Sequence, residues 1–522
     1  MEIPARVERI ADSTGRGMGA HPQRAVASAG LGLLLLVAVV VIPLQIAQGL
    51  NGDTSWLISV GERWLDGSRP YVDVLETNPP MSVLMFLPTI LLAQLTGVRP
   101  EAVLIVGVAA LAVASAEATA RALIAQRLAD NSLKLRLALG FAVLVLPMST
   151  FAEREHVAVI ALMPIGAVLL ARAEGRSPER WLILIGGLGA GLAMAIKPQF
   201  AAAVLLPALV VARSTRRFAS LFAAEYWIAA AVVVGYAALA VWEFPTYARD
   251  MLPLVLDLYR PVREPLSDLL SAEVMPWIGL MLIGLSIVAR GDILKPAMAI
   301  PLMAAAGFLF CVVEQGKGWA YHYYPVAAAL APMLIDRGVD LANARISAAG
   351  NAVARLEPIA GFLMAAVGLT FATLTFLGTN KPMRGLMAPI AAVSAHPRML
   401  VISPHFWIGN PLVRDVGGSW AASVPSQWVT LGALYKLGLS PRSEPERQRL
   451  IGVIAADRAR ISADLATRRP DIVLVEHDDR VYPAWFSSPE DLAGFLAGYR
   501  LQANYLGIDL WVRSAPAGIG AT

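Results

Sequence analysis

Cysteine is almost missing from this chain. Its 522 residues include one, Cys311, set inside an apolar run. A disulfide framework is excluded, and so is a cysteine-rich metal centre. Cys311 reads as a small buried apolar residue. Charge is scarce as well: Asp, Glu, Lys and Arg make up 16% of the residues, against about 25% in ordinary soluble domains. The net charge of +4 is too small to argue for nucleic acid as a partner. A Walker-type phosphate loop is absent, which argues against an ATP-driven pump. Internal repeats and low-complexity segments are absent too.

What remains is greasy. Apolar residues reach 57% and the mean hydropathy is +0.60, the composition of an α-helical polytopic membrane protein. Apolar runs predict about eleven transmembrane helices, at 27–48, 101–121, 136–150, 157–172, 181–196, 199–212, 226–242, 275–289, 296–313, 323–336 and 357–377. The first run follows Arg6, Arg9, Arg16 and Arg24 and carries no small-x-small cleavage pattern, so it reads as an uncleaved first span. The apolar stretch 80–96 is expected to lie along the membrane surface or to re-enter it, because a span there would break the charge alternation.

That alternation orients the chain. With residues 1–26 as a cytoplasmic tail, the inner connections hold Arg121, Arg127, Lys134 and Arg136, then Arg172, Arg176 and Arg180, then Arg213, Arg216 and Arg217, then Arg290 and Lys295, then Arg337, Arg345 and Arg355. The outer connections are 49–100, 151–156, the turn at Lys197, 243–274 and 314–322. They hold fewer cations, more acids and the aromatic clusters. Residues 27–379 thus read as the membrane domain. Beyond it, 380–522 has no membrane-length run. Strands are expected at 398–403, 471–477 and 508–513, a helix over 444–469 capped by Ser443, and another starting at Ser488. This predicts a small C-terminal α/β domain on the extracytoplasmic side.

Five outer stretches could carry chemistry. The stretch "NGDTSW" places Asp53 just past the first span, followed by Trp56, Glu62, Tyr71, Asp73, Glu76 and a proline pair. A carboxylate held at the interface and partly desolvated suits a general base, while an interfacial aromatic belt with solvated acids is the plainer reading. In "FAEREHV", Glu153, Glu155 and His156 suit a divalent cation such as Mg or Mn; Arg154 and His156 alternatively suit phosphate, and a solvated helix cap is the plainer reading. Lys197 precedes a proline between two apolar runs, as a snorkelling anchor or a phosphate ligand. In "EQGKGWAYHYYP", an aromatic belt accounts for Trp319 and Tyr321 but not for Lys317 and His322, which suit phosphate. The long loop 243–274 contributes Arg260 as a candidate substrate contact, with surface ion pairs as the plainer account. Glu476, His477, Asp478 and Asp479 read as a solvated turn.

The run Asp53, Gly61, Trp64, Leu65, Gly67, Pro70, Tyr71, Asp73, Glu76, Pro79, Pro80 resembles the first periplasmic loop of GT-C type membrane glycosyltransferases, with protein O-mannosyltransferases and bacterial aminoarabinose transferases as similar families. The resemblance implies a GT-C-like fold of many spans followed by an external domain. It implies Asp53 as catalytic base, an amphipathic segment at 80–96 and a second acidic pair at Glu153 and Glu155. A nucleotide sugar would not be available on the outer face, so the donor is expected to be carried by lipid.

Together these readings predict an inverting transfer of sugar from a polyprenyl phosphate to a lipid, glycan or protein acceptor on the outer face of the plasma membrane. Asp53 is the expected base. Lys197, Lys317 and His322 are expected to hold the donor phosphate, and Tyr71, Asp73, Glu76, Trp319, Tyr321 and Arg260 the substrates. A flippase for lipid-linked sugars would place polar groups at the midplane and usually show repeated halves. A polysaccharide polymerase or ligase would use the same donors, with more arginine in its outer loops.

Overall fold

The computed structural model describes residues 20–129, 132–289, 291–347, 356–378, 380–439 and 443–514, with backbone only at 20–28, 342–347 and 356–357. Arg6, Arg9, Arg16, Arg290 and Arg355, and most of the expected 1–26 tail, lie outside the described residues.

The membrane half is a set of packed helices: α1 (Ala20–Gln48), α2 (Gly52–Leu65), α3 (Leu87–Thr96), α4 (Pro100–Ala125), α5 (Ser132–Gly140), α6 (Arg154–Ala173), α7 (Arg180–Ile196), α8 (Ala202–Thr215), α9 (Ala224–Glu243), α10 (Met275–Val288), α11 (Pro296–Gln315), α12 (Ala320–Ser347) and α13 (Leu356–Thr375). Among the described residues, seven stretches are long and apolar enough to cross a membrane: those of α1, α4, α6, α8, α9, α11 and α13. They coincide with seven of the eleven expected spans, and the chain is an integral membrane protein.

The other four expected spans differ. Segments 181–196 and 275–289 form α7 and α10, of 17 and 14 residues. At 1.5 Å per residue these reach roughly 25 and 21 Å, short of a hydrocarbon core about 30 Å thick. Segment 136–150 is interrupted by a π-helical turn at Phe141–Val145 and a 3-10 turn at Met148–Thr150. Segment 323–336 lies inside the longer α12, with Pro325 and Pro332 within it.

Small residues let these helices approach closely. A Cβ on Gly187 or Gly191 of α7 would lie 2.8 Å from the Glu225 carbonyl oxygen or 2.5 Å from Val232 Cβ, both on α9.

The stretch expected as the first outer loop is not a loop. Asn51 caps α2, its side chain accepting from Thr54 N at 3.0 Å, and the first ten residues of α2 are buried. Segment 80–96 breaks into two short helices, Met81–Leu84 and α3, which pack on α2. Neither is long enough to span.

Residues 398–513 contain a five-stranded mixed sheet in the order β2-β1-β3-β5-β4. Strands β1 (Arg398–Ile402), β3 (Ile472–Glu476) and β5 (Ile508–Arg513) fall at the three stretches whose apolar runs predict strands. Strand β2 (Ser419–Trp420) has two residues, and β4 (Tyr499–Tyr505) is largely exposed, so neither carries an apolar signal. Strands β1 and β3 are parallel and nearly fully buried; β5 is antiparallel to both β3 and β4. Helices α14 (Trp428–Leu439) and α15 (Glu444–Arg468) pack together between β2 and β3 in the chain. Ser443 occupies the N-cap position of α15 without the expected side-chain bond, whereas Ser488 accepts from Asp491 N as a cap should.

This region docks on α2. Arg414 Nη2 and Nη1 grip Glu62, Nη2 at 2.9 Å, and its Nε donates to Glu101 at 2.6 Å. Arg63 Nη1 donates to the Ala422 carbonyl, and Leu75 N to that of Ser423, both at 2.7 Å. One apolar core runs from Leu34 to Val512 through both halves.

Candidate functional site

Helix α2 carries Asp53 in its first turn. Asp53 is 8% exposed. Its Oδ2 accepts from Arg154 Nη2 at 2.6 Å and from Tyr321 OH at 2.7 Å. Arg154 opens α6, and Tyr321 stands in the first turn of α12. A second Arg154 nitrogen donates to Asn78 Oδ1, linking the network to the loop before the proline pair. Three stretches far apart in the chain thus meet on one carboxylate.

Close by lies a second polar group. Lys197, in the break between α7 and α8, donates to Glu155 and, at 2.6 Å, to Gln315 Oε1. Its Nζ is 5.7 Å from the Tyr321 ring centroid. His322 Nε2 is 3.7 Å from Glu155 Oε1, beyond hydrogen-bond range. Both nitrogens of His322 and Glu155 Oε2 are buried without a hydrogen-bond partner. Buried polar atoms are paired in the great majority of cases, so this cluster has unused capacity for a polar ligand.

Glu153 caps α6 and is fully buried, with Oε1 unpartnered. Burial, and next the negative charge of Asp53, push its carboxyl well above the usual range. Asp53 also faces a cavity of about 180 Å³, lined on the far side by Phe406, Trp407 and Asn410 of the C-terminal region and on the near side by Tyr321.

Among the other sequence candidates, Glu76 is buried and accepts from Trp56 Nε1 and from Asn78 N at 2.7 Å; burial raises its pKa. Tyr71 donates to the Asn78 carbonyl at 2.8 Å and packs on Tyr247. Both shape the loop that meets Arg154. Trp319 stacks near Tyr321, His322 and Phe406.

Three candidates stand apart from the Asp53 network. Asp73 pairs with Arg69 at the surface, which holds it at a pKa of about 2. Arg260 pairs with Glu314 at 2.8 Å. Lys317 donates to the Tyr259 carbonyl at 2.8 Å and to that of Val262, with its Nζ 3.9 Å from the Tyr259 ring centroid.

The fold is shared with solved proteins. ArnT from Cupriavidus metallidurans in the apo state superposes with a TM-score of 0.54 over 94% of this chain and 99% of that one, at 14% identity. The same protein bound to undecaprenyl phosphate superposes at 0.53, over 93% and 98%, at 14% identity.

The fold is that of the GT-C glycosyltransferases.

An oligosaccharyltransferase from Archaeoglobus fulgidus aligns more loosely, at a TM-score of 0.44 and 13% identity over 92% of this chain and 73% of that one. No family model matches the sequence, and no curated protein does.

Within this GT-C fold, the expected metal set of Glu153, Glu155 and His156 needs correction. His156 has no nitrogen to offer. Its Nδ1 accepts from Ala152 N at 3.0 Å, and its Nε2 donates to the Val143 carbonyl at 2.8 Å. Glu155 Oε1 accepts from Lys197, while its Oε2 is unpartnered. Among the described residues no group of three or more His, Cys, Asp or Glu side chains converges. With both His156 nitrogens on the backbone, the expected three-residue set does not form at that turn.

Sequence reasoning singled out Asp53 and Lys197 but missed two of their partners, Arg154 and Gln315, and one neighbour at the cavity, Asn410. Arg154 was read toward phosphate, and it binds Asp53 instead. Gln315 and Asn410 gave no signal, although "HFWIGNP" after β1 is an aromatic-rich turn at the carboxyl end of a strand.

Proposed function

We propose that this GT-C protein moves a sugar from a polyprenyl phosphate donor to an acceptor hydroxyl on the extracytoplasmic face of the membrane, with inversion at the anomeric carbon. The observation that carries the reading is the pairing of two polar groups around Tyr321, which donates to Asp53 and lies against Lys197. On one side are Lys197 and the unpartnered nitrogens of His322; on the other is Asp53 at its cavity. The likeness to ArnT, which was solved with undecaprenyl phosphate, supports the donor class.

In this mechanism the acceptor oxygen loses its proton to Asp53 Oδ1, the oxygen not held by Arg154 and Tyr321. It forms the new bond to the anomeric carbon as the carbon–oxygen bond to phosphate breaks. The electron pair leaves with the polyprenyl phosphate, whose growing charge meets Lys197 and a proton on His322. Arg154 and Tyr321 hold the carboxylate in place. Lys317, held by the Tyr259 and Val262 carbonyls, takes no part in this mechanism. The charge pattern supports a cytoplasmic N-terminus, with the catalytic groups and an α/β domain over 380–522 outside.

The test is transfer in vitro with a panel of polyprenyl phosphate sugars, comparing the native protein with Asp53→Asn. Full activity in the variant would refute the base assignment. Donor crossing the bilayer of proteoliposomes without any sugar transfer would replace the enzyme with a flippase.

A further inference from the structure

Five arginines at one end of the membrane helices are held by nothing in the protein. Arg176 and Arg180 belong to the connection between α6 and α7, and Arg213, Arg216 and Arg217 to that between α8 and α9. All five are exposed, and among the described residues none of their side chains makes a hydrogen bond or ion pair. Arg69, Arg249 and Arg449 are exposed too, yet each pairs with a neighbouring acid.

The two connections lie side by side. Arg172, near the end of α6, binds the buried Glu225 at the start of α9, with its Nη2 at 2.7 Å. Gly187 of α7 faces Glu225 and Ile228. Arg180 stands seven residues before Gly187, about 10 Å along the helix, and Phe222 stands three before Glu225. Aromatic rings occupy the same level. The 3-10 turn Phe218–Phe222 buries none of its residues. Phe218 is 84% exposed and Phe222 69%, and Trp181 and Trp227, on the adjoining helix starts, are exposed as well. The span Phe218–Glu243 is the least buried of the seven apolar spans.

These features describe a lipid rather than a soluble partner. Aromatic residues where an apolar span begins sit at the level of the headgroups. Segments 172–181 and 213–227 hold six arginines against three glutamates, and one of each is spent on the Arg172–Glu225 pair. The excess suits phosphate, to which a guanidinium donates two parallel bonds. A nucleic acid or an acidic protein would match the charge but leave Phe218 and Phe222 in water.

We propose that residues 213–222, with Arg176 and Arg180, bind the phosphate of an anionic phospholipid in the inner leaflet, its acyl chains lying along Phe218, Phe222 and the open face of α9. The proposal is independent of the transferase reading. The site is also separate from the group around Lys197, which follows the opposite end of α7, about 25 Å from Arg180.

The experiment is titration of the full-length protein in nonionic detergent with dioleoyl phosphatidylglycerol, read by native mass spectrometry. Dioleoyl phosphatidylcholine, with the same chains and no net charge, is the reference, and glycerol 3-phosphate is the headgroup without chains. Phosphatidylglycerol should bind saturably and about 100-fold more tightly than phosphatidylcholine, and glycerol 3-phosphate should not displace it. Arg216→Gln with Arg217→Gln should reduce that preference about 25-fold, the worth of two arginines near a phosphate. Neither side chain is bonded in the protein, so this variant should melt like the native protein. Arg447→Gln with Arg500→Gln removes the same charge from exposed positions in the C-terminal region and should leave the preference intact.

Equal binding of the two lipids would overturn the proposal. So would a preference that survives loss of Arg216 and Arg217, or one that falls equally with Arg447 and Arg500. Displacement by glycerol 3-phosphate would make this a site for a soluble phosphate and overturn the lipid. Lipid binding without any sugar transfer would leave the site standing and count against the enzyme reading alone.

Discussion

Substitution of Asp53 by Asn should separate the catalytic and structural roles of one ion pair. Arg154 is 3% exposed and its closest anion is Asp53, at 2.6 Å. The substitution keeps the shape and leaves an oxygen to accept from Arg154 and Tyr321, but it removes the charge. Breaking a buried pair from one side costs about 3–5 kcal/mol. Glu153 and Glu155 also lie near Arg154, so the expected cost is at the lower end, about 3 kcal/mol. Thermal unfolding in nanodiscs should show a fall of a few degrees. Adding Arg154→Met to Asp53→Asn removes the stranded cation and should restore most of the loss. Transfer activity should fall about 10²–10⁴-fold in the single variant through loss of the base, and it should not return in the double variant. Two results would refute the reasoning: a single variant that melts like the native protein, or a double variant that recovers activity together with stability.

Three other substitutions report on separate parts of the site. Lys197→Met should weaken undecaprenyl phosphate binding by about 10–100-fold, the worth of one charge-assisted contact, as measured by titration in detergent; an unchanged Kd would remove Lys197 from the donor site. Gly52→Ala forces a Cβ against the Asn410 carbonyl oxygen and should cost about 1–3 kcal/mol, visible as a lower melting temperature. The third concerns pH. His405 Nδ1 lies 2.9 Å from Glu476 Oε2, and that bond holds the imidazole above its ordinary 6.5. Burial opposes ionisation of Glu476, but the bonds from His405 and Ser403 outweigh it and hold its carboxyl below 4.5. The raised His contributes stability that is complete below 6.5 and lost as pH rises through its folded value; the lowered Glu contributes stability present above 4.5 and lost in acid. The melting temperature should therefore decline as pH rises above about 6.5, and His405→Gln should flatten that decline.

The outer helix and the strands show where local reading stops. Asp53 was legible as a candidate because it follows a long apolar run and precedes a dense polar stretch. The helix that carries it was not, because α2 mixes Thr, Ser, Gly and charged residues with its apolar ones, and neighbours bury polar and apolar residues alike over its first ten positions. The apolar strands β1, β3 and β5 stood out in the sequence, whereas β4 did not: its sequence YRLQANY has no β-branched residue, and it is ordered by pairing with β5. His156 was read as a ligand because charge density in a turn suggests solvent or metal. The fold instead spends both its nitrogens on the backbone at Ala152 and Val143.

The sequence by itself determined the solvent of this protein, the seven long apolar helices and the separate composition of the C-terminal region. Those features are local: hydropathy and length act on each segment alone. Only the tertiary structure decided that Asp53 is shared by Arg154 and Tyr321, 101 and 268 residues away, and that Phe406 and Trp407 line the same cavity. Such pairings are set by how helices and sheet dock, and a buried polar group settles wherever a distant partner can satisfy it, which no periodicity along the chain records.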